Sequence, residues 1–418
     1  MKELETCAEA EAAPKRDYPV PQSEPGILTI VIPAYNEEQS IKSIIQRCLD
    51  ARERITEQTP AKEVEIIVVS DGSTDKTAEL ASGYEEVKLI AYEKNRGYGA
   101  ALKLGFEKAK GDLVSFLDAD GTCDPLCFVP MVNKLLNEEG DIVIGNRMAK
   151  TNEMPRVRRF GNFLYAKLVS FLSDANITDT ASGMRVIRKS SLSRIYPLPN
   201  GLHFTPAMTC RAVLCPDLKI LEVPIKYAER EGRSKLNVIA DGFRFLKTIC
   251  DIALVYRPMK LFGSVAFLLL LVAAFYSAYP IEYYVANRMI NDAMIYRLMA
   301  VSVMVLTALL LVSVGVVADN AVDIMGLRSS QRTFFERSLR KLLSQKRLII
   351  AGPIVGLLGV VINWRTIWQY LSTGRINVHW VYIVAGMLLF LAGAQTTCLG
   401  LLQRILANLG GAGCIKRR

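Results

Sequence analysis

An apolar run that ends in two carboxylates occupies Leu113-Val114-Ser115-Phe116-Leu117-Asp118-Ala119-Asp120. A continuous apolar run of this length is typical of a strand buried on both faces, as in a parallel sheet. The two carboxylates follow at the carboxyl end of that strand, where they would repel each other at neutral pH. Helix capping does not require such a pair. The run therefore predicts an α/β sheet with a ligand site at the end of this strand.

The same arrangement recurs on both sides of this run. Five apolar strands alternate with four helices, which is typical of parallel βαβ units. The predicted strands are Ile27–Ile32, Val64–Val69, Val87–Ala91, Leu113–Leu117 and Asp141–Gly145, and the predicted helices are Glu37–Arg54, Thr74–Ser82, Tyr98–Lys108 and Pro125–Asn137. Such folds bind ligands at the carboxyl ends of their strands. We therefore expect Asp71, Asp118 and Arg147 to meet at one edge.

The second half of the chain contains four runs without a charged residue. They are Leu261–Pro280, Leu298–Ala318, Leu348–Trp364 and Trp380–Gln403. Each is long enough, or nearly so, for the roughly 20 residues that cross a bilayer. The hydrophobic fraction of 51% is ordinary, but its concentration in these runs excludes a wholly soluble protein. We predict a soluble α/β domain followed by an α-helical membrane domain with four spans.

The positions of the basic residues indicate how the spans are oriented. The loop at 319–347, between the second and third spans, is rich in Lys and Arg, and basic loops mark the cytoplasmic side of a membrane. We therefore predict an integral membrane protein whose soluble domain and both termini are cytoplasmic. The net charge of +10 is then explained by anionic lipid, and nucleic acid is not expected as a partner.

These features divide the chain into four parts. A flexible, proline-containing tail is expected over residues 1–26, and the α/β domain over 27–235. Residues 236–257 alternate charged and apolar side chains at helical spacing, which predicts an amphipathic juxtamembrane helix on the membrane surface. The membrane domain follows over 258–418 and includes a basic cytoplasmic helix at 322–347.

The carboxylate pair of Asp118 and Asp120 predicts a divalent-cation site, because oxygen ligands suit Mg²⁺ or Mn²⁺. A D-x-D pattern alone is a weak signal, and its place after a buried strand strengthens it. The chain has two His and nine scattered Cys, so a Cys/His metal site is not expected. It has no glycine-rich phosphate loop with a lysine. Phosphate groups would therefore be held by the metal and by arginine.

Six segments, in order along the chain, resemble motifs of the family 2 inverting glycosyltransferases. They are Ile30-Val31-Ile32-Pro33-Ala34-Tyr35-Asn36-Glu37-Glu38, Val68-Val69-Ser70-Asp71-Gly72-Ser73-Thr74-Asp75, Asn95-Arg96-Gly97-Tyr98-Gly99-Ala100-Ala101, Phe116-Leu117-Asp118-Ala119-Asp120, Asp179-Thr180-Ala181-Ser182-Gly183-Met184-Arg185 and Arg230-Glu231-Gly232-Arg233-Ser234-Lys235-Leu236. The last two resemble segments of the polyprenyl-phosphate branch, which includes dolichyl-phosphate mannose synthase and undecaprenyl-phosphate glucosyltransferases. The resemblance covers residues 27–257 and implies a GT-A-type fold, with a mostly parallel sheet that binds a nucleotide sugar.

The resemblance also implies roles for the matching residues. The nucleotide-sugar pocket would be lined by Pro33, Ala34, Tyr35, Glu37, Asp71, Gly97 and Asp118, with Asp71 bonding the base. Asp118 and Asp120 would hold Mg²⁺ or Mn²⁺ on the diphosphate. The acceptor phosphate would be bound by Arg147, Arg156, Arg158, Arg159, Ser234 and Lys235, the last two also closing over the diphosphate. The implied catalytic set is Asp118, Asp120, Asp179 and Arg147.

A lipid monophosphate acceptor is consistent with this set of residues. It is already a charged nucleophile, so it needs cations that position it more than a general base. A sugar-hydroxyl acceptor would instead need a carboxylate base. Asp179 is then either that base or a residue that orients Arg185 or Lys235, and the orienting role is favoured.

The chain departs from the family pattern at several positions. Gly121 and Thr122 follow the second acid in a segment where the family often has, two residues after that acid, a Gln that contacts the metal. Ser70 stands where the family commonly has Asp. His203 occupies a region in which this branch often has an acid. It either contacts the sugar or is structural, and the structural role is favoured.

The sequence therefore predicts a membrane-anchored, metal-dependent hexosyltransferase. It would move a hexose, glucose or mannose, from a UDP or GDP sugar to undecaprenyl or dolichyl phosphate with inversion. One alternative is a processive polysaccharide synthase or a transferase to another lipid, although the Q-x-x-R-W motif of such synthases is absent from the sequence. An alternative of another class is a nucleotide-sensing membrane scaffold. The oligomeric state is not readable from the sequence, and a homo-oligomer stays open.

Overall fold

The computed structural model of the chain describes residues 26–149, 152, 154–173, 175–215, 218–230, 237–325 and 340–415. The chain divides into two compact units between Ile252 and Ala253. The described part of the first unit is α/β and that of the second is helical, which confirms the predicted fold class. The predicted tail at 1–26, apart from its last residue, lies outside the described residues, as does most of the predicted basic helix at 322–347.

One seven-stranded sheet forms the centre of the first unit. Its strands are β1 (Ile27–Ala34), β2 (Glu63–Asp71), β3 (Lys88–Tyr92), β4 (Leu113–Leu117), β5 (Ile142–Asn146), β6 (Met184–Arg188) and β7 (Ile220–Pro224). The order across the sheet is β3-β2-β1-β4-β6-β5-β7. All neighbours are parallel except β6, which is antiparallel to both β4 and β5.

The carboxyl ends of β1, β2, β4 and β5 lie at one edge of this sheet, as the sequence predicts. Strand β1 pairs in parallel with β2 and β4, and β5 runs the same way as β4 because both are antiparallel to β6. Strand β6 was not predicted. It begins at this same edge, where Met184 pairs with Leu117. The residues just before β6 are therefore brought to the edge where the acids lie.

Helices surround the sheet in the first unit. They are α1 (Ile41–Gln58), α2 (Thr77–Ser82), α3 (Tyr98–Lys108), α4 (Phe128–Asn137), α5 (Arg156–Ser173), α6 (Leu192–Ile195), α7 (Phe204–Leu214) and α8 (Val238–Tyr256), the last of which continues into the second unit. Leu113 and Leu117 of β4 share a buried apolar cluster with residues of α1 and α4. Phe116 instead contacts Phe106 of α3 and Phe204 of α7. Because successive strand side chains point to opposite faces, both faces of β4 are covered, which explains its continuous apolar run.

Helix α1 begins at Ile41, later than the predicted Glu37. The cause is Asn36, which has a left-handed φ of 52°. Its side-chain oxygen accepts a hydrogen bond of 2.8 Å from the backbone N–H of Thr74. This turn ties the end of β1 to the loop after β2, and it leaves Glu37 at the sheet edge instead of inside a helix.

The described residues of the second unit form four long helices. They are α9 (Pro258–Asn287), α10 (Ile295–Ile324), α11 (Gln345–Thr373) and α12 (Trp380–Ile415). By length and composition each is able to cross a membrane, which supports an integral membrane protein with the four predicted spans. Helices α11 and α12 approach closely at glycines, since a Cβ atom on Gly393 would lie 2.3 Å from the backbone nitrogen of Gly356. Small residues permit such close contact between membrane helices.

Candidate active site

A cavity of about 530 Å³ opens at the edge where the parallel strands end. Its walls include most of the residues that the sequence singles out, and all of them belong to the first unit. The predicted site residues among them are Pro33, Ala34, Tyr35, Glu37, Asp71, Gly97, Asp118, Asp120, Arg147 and Arg158. Five strand ends and turns far apart in the sequence therefore meet in one space.

Asp118 follows β4, where it accepts a hydrogen bond and also lies close to a second carboxylate. Its Oδ1 accepts a hydrogen bond of 2.7 Å from the hydroxyl of Tyr98. Burial, and then the negative charge of Asp120, raises the pKa of the Asp118 carboxyl to about 7. The folded protein thus holds two neighbouring carboxylates where a second negative charge is unfavourable, and a cation would relieve this.

Asp120 is held by a different set of donors. Its Oδ1 accepts hydrogen bonds from the Thr122 backbone N–H at 3.2 Å and from the Thr122 hydroxyl at 2.7 Å. Its Oδ2 lies 3.1 Å from Nη1 of Arg230, whose Nη2 donates to Glu37. Thr122, which stands where the family often has Gln, therefore orients the second acid. Arg230 joins the end of β1 to the acid pair.

Arg147 and Asp179 form a buried ion pair at the same edge. The Nε and Nη2 atoms of Arg147 donate to the two carboxylate oxygens at 2.9 and 3.0 Å, and its backbone N–H donates at 3.0 Å. The Asn162 amide adds a further bond of 3.0 Å to Asp179. Burial alone would raise the pKa of Asp179, but the Arg147 charge and these hydrogen bonds lower it below its ordinary value.

Asp71 is buried at the end of β2 and bonds to the backbone. Its Oδ1 accepts from the Arg96 N–H at 2.8 Å, and its Oδ2 accepts from the Gly97 N–H at 2.7 Å. The side-chain amide of Asn95 donates to the Asp71 carbonyl at 3.1 Å. Asp71 therefore fixes the loop that precedes α3, and this loop forms part of the cavity wall.

The structure brings only part of the predicted arginine cluster to the cavity. Arg158 lines it, whereas the described cavity wall does not include Arg156 or Arg159. Arg159 donates through Nη2 to the backbone carbonyls of Ala149 and Asn152 at 3.0 and 2.9 Å, and it therefore fixes the turn before α5. Ser234 and Lys235 lie outside the described residues.

His203 is half-buried, and it is not among the described residues that line the cavity. Burial, and then the nearby charge of Arg244, lowers the pKa of its imidazole. Its ring packs beside Gly201, where an added Cβ atom would lie 2.9 Å from the imidazole Cε1. Arg185 was one of the residues that Asp179 was expected to orient. Its Nη2 instead donates to the Thr180 and Thr205 carbonyls and to the Thr209 hydroxyl.

Helices α5 and α8 form a further part of the cavity wall. The hydroxyl of Tyr165 on α5 donates to the Gly242 carbonyl on α8 at 2.9 Å, and its ring contacts Phe245 edge-on at 6.1 Å between centroids. Large apolar side chains are nevertheless exposed on both helices, with Val157 and Phe160 on α5 and Ile239 and Phe243 on α8 each more than 60% exposed. The amphipathic surface of α8 was predicted from the sequence, and that of α5 was not.

Three further residues at this site were missed by sequence reasoning. Tyr98 and Arg230 contact the acid pair, and Asn162 contacts Asp179. Tyr98 and Arg230 both lie inside segments that resemble family motifs, so their place in those motifs could have indicated that they belong to the site. Asn162 lies in the interior of α5 and carried none.

These features define a glycosyltransferase of the GT-A type: a mostly parallel sheet with paired acids at its carboxyl edge, followed by membrane-type helices. The model of glycosyl transferase family 2 matches residues 29–196. A curated relative, the dolichyl-phosphate hexose transferase of Haloferax volcanii, is 33% identical over 237 residues, which cover 55% of this chain and 95% of that protein. The chain belongs to glycosyl transferase family 2.

Other relatives extend this comparison. The undecaprenyl-phosphate 4-deoxy-4-formamido-L-arabinose transferase of Edwardsiella ictaluri is 29% identical and is covered over 73% of its length. Among solved structures, glucosyl-3-phosphoglycerate synthase of Mycobacterium tuberculosis with Mn²⁺, uridine diphosphate and phosphoglyceric acid is 21% identical. The TM-score is 0.43, and the aligned region covers 55% of this chain and 78% of that one. The names of the two curated relatives confirm the predicted resemblance to the polyprenyl-phosphate branch of the family.

Proposed function

We propose that this protein transfers a hexose, glucose or mannose, from a UDP or GDP sugar to undecaprenyl or dolichyl phosphate, with inversion at the sugar carbon. One observation carries the proposal: the acid pair and the guanidinium of Arg147 face the same cavity, and helices with exposed apolar side chains form part of its wall. The acid pair, through a bound cation, and Arg147 suit a diphosphate and a phosphate. The exposed apolar side chains of the helices suit a lipid. The name of the Haloferax volcanii relative supports this acceptor class.

The nucleoside would bind at the ends of β1 and β2. Pro33, Ala34 and Tyr35 line that side of the cavity, together with Asp71 and Gly97. The carboxylate oxygens of Asp71 each have a second lone pair beyond their bond to a backbone N–H. They would accept a hydrogen bond from the base, and uracil and guanine both offer a ring N–H.

The acid pair fits a divalent cation such as Mg²⁺ or Mn²⁺. Asp118 and Asp120 supply oxygen ligands only, and Asp120 already attracts a cation, since Arg230 lies 3.1 Å from it. No group of three or more His, Cys, Asp or Glu side chains within the described residues is arranged to hold a metal. Oxygens of the diphosphate and water would complete the coordination. A bound cation would stabilise the charge that develops on the leaving diphosphate.

The acceptor phosphate would bind at Arg147 and Arg158. One of its oxygens would form a bond to the first carbon of the sugar as the bond to the diphosphate breaks, and the nucleoside diphosphate would leave with that electron pair. An ionised phosphate carries no proton that must be removed. Asp179 would then position Arg147, which agrees with its three bonds to that residue. Both residues are positioned before the substrate arrives.

The lipid would approach along α5 and α8. Their exposed apolar side chains suit a membrane surface, and Lys167, Arg244 and Lys247 add positive charge that anionic headgroups attract. The α/β domain at 27–235 and the juxtamembrane helix at 236–257 would lie on the cytoplasmic side, with both termini and the basic helix at 322–347. The four spans at 258–418 would anchor the enzyme.

The test is transfer by the purified full-length chain with undecaprenyl or dolichyl phosphate, Mg²⁺ or Mn²⁺, and the UDP and GDP forms of glucose and mannose. We expect a lipid-linked hexose with one of these donors. The Asp120→Asn variant should lower the rate at least roughly 100-fold, because a ligand that stabilises the leaving group is lost. Asp50→Asn, an exposed acid on α1, is the matched control and should transfer at the wild-type rate.

Two results would contradict the proposal in different ways. If no donor gives a lipid-linked product, the acceptor assignment is wrong. If Asp120→Asn transfers as fast as the wild type, the acid pair has no part in the reaction. Binding of a nucleotide sugar without any transfer would favour the scaffold alternative.

A further inference from the structure

Tyr98 makes a direct contact with the acid pair. Its hydroxyl donates to Oδ1 of Asp118 at 2.7 Å, and the residue lines the cavity. A tyrosine hydroxyl is protonated at neutral pH and is therefore the donor in this contact. Unlike an arginine, it holds the carboxylate without neutralising its charge.

The second oxygen of Asp118 is confined from the opposite side. A Cβ atom added to Gly183, just before β6, would lie 1.8 Å from Oδ2 of Asp118. Only glycine therefore leaves room for the carboxylate in its present position. Asp118 is held between a hydroxyl and a backbone, and its orientation is fixed before any ligand binds.

Tyr98 is itself fixed by the start of α3. Its ring contacts Phe204 edge-on, with 6.4 Å between centroids. The Gly99 N–H donates to the Asn200 carbonyl at 2.6 Å. Cβ atoms at Gly97 and Gly99 would lie 2.5 Å from the Asn200 oxygen and 2.2 Å from the Pro199 oxygen. The two glycines on either side of Tyr98 thus let the helix start approach residues 199–200, which directs the phenol at Asp118.

We propose that Tyr98 is a positioning residue that holds the Asp118 carboxylate in the orientation in which it binds the divalent cation. This inference rests on the proposed function, since it assigns Asp118 to the metal. Groups that orient metal ligands typically contribute 10–100-fold to metal affinity. Tyr98 should therefore act on metal binding and not on the nucleotide or the lipid directly.

The experiment compares Tyr98→Phe with Tyr165→Phe in the full-length chain. Each variant removes one hydroxyl from a tyrosine of the cavity wall, but Tyr165 donates to the carbonyl of Gly242 and not to a carboxylate. Mn²⁺ binding is measured without donor from the electron paramagnetic resonance signal of the free ion. We expect a Kd about 10-fold higher for Tyr98→Phe and an unchanged Kd for Tyr165→Phe.

A second readout separates positioning from a folding defect. The Mn²⁺ concentration for half-maximal transfer should rise in Tyr98→Phe, while the rate at saturating Mn²⁺ should stay within about twofold of the wild type. A misfolded variant would not be rescued by added metal. A cooperative melting transition checks that the variant is folded.

The inference is overturned by an unchanged Mn²⁺ affinity in Tyr98→Phe, by an equal loss in Tyr165→Phe, or by a wild-type chain that does not bind Mn²⁺. Its failure is distinct from that of the proposed function. If the chain forms no lipid-linked product but its Mn²⁺ affinity depends on the Tyr98 hydroxyl, the role of Tyr98 stands. The assignment of a lipid phosphate as acceptor is then wrong.

Discussion

Two ionic groups lie at the same edge of the sheet and differ in how their charges are balanced. Arg147 and Asp179 neutralise each other through paired, charge-assisted hydrogen bonds. Asp118 and Asp120 place two carboxylates side by side, and the described contacts give them one cation, Arg230. The first pair is complete without a ligand. The second keeps a repulsion between carboxylates that a divalent cation would relieve. The first group is therefore charge-balanced as it stands, whereas the second favours the binding of a cation.

The two groups should respond in opposite ways when one acid is removed from each. Asp179→Ala leaves the buried guanidinium of Arg147 without its counter-ion and should lower the free energy of unfolding by about 3–5 kcal/mol. Asp118→Asn removes a repulsion instead, so stability should be equal to the wild type or higher. Melting of both full-length variants without divalent cations, followed by circular dichroism, tests this. Equal destabilisation by the two variants would contradict the distinction.

A smaller effect is expected at the other member of the neutral pair. Arg147→Lys keeps the charge but loses the planar fork that bonds both Asp179 oxygens. The KM for the lipid phosphate should rise roughly 10-fold, as for the loss of one hydrogen bond to a charged group. Initial rates at varied lipid concentration measure this, and Mn²⁺ affinity serves as the control that should not change. An unchanged KM would exclude Arg147 from acceptor binding.

The smallest effect concerns the cation that already lies on the acid pair. Arg230→Gln removes a positive charge that competes for Asp120, so Mn²⁺ should bind a few-fold more tightly in the absence of donor, by the electrostatics of a partly exposed ion pair. Calorimetric titration with Mn²⁺ measures the change. Arg158→Gln, which also lines the cavity, is the control. A weaker affinity in Arg230→Gln would show that Arg230 assists the metal site instead of competing with it.

The sheet edge could be predicted from the sequence because its signals are local. Buried runs such as Leu113–Leu117 end directly in polar residues, and parallel strands place those ends together. The predicted bounds of β4 and α3 are those of the structure. The start of α1 differs from its predicted position because the left-handed turn at Asn36 is held by a hydrogen bond from the backbone N–H of Thr74. This contact joins residues far apart in the chain, so no local sequence pattern predicts it.

The contacts within the site were less accessible to sequence reasoning. Arg230 contacts Asp120 across more than a hundred residues of chain, and Tyr98, at the start of α3, contacts Asp118 just after β4. Strand β6 is antiparallel, so it presents residues 179–183 from its amino end. A rule that looks for site residues after strands does not find them there. The resemblance to a family supplied Asp179, and the fold supplied the reason for its position.

The close approach of Gly183 to Asp118 has a consequence for how this chain can evolve. A side chain at position 183 would occupy the space of the Asp118 carboxylate. An alanine there would displace the Asp118 carboxylate from its present position, so we expect substitutions at the glycine and at the acid to accompany each other. The two positions, one just after β4 and the other just before the antiparallel β6, are therefore sterically coupled although they lie far apart in the sequence.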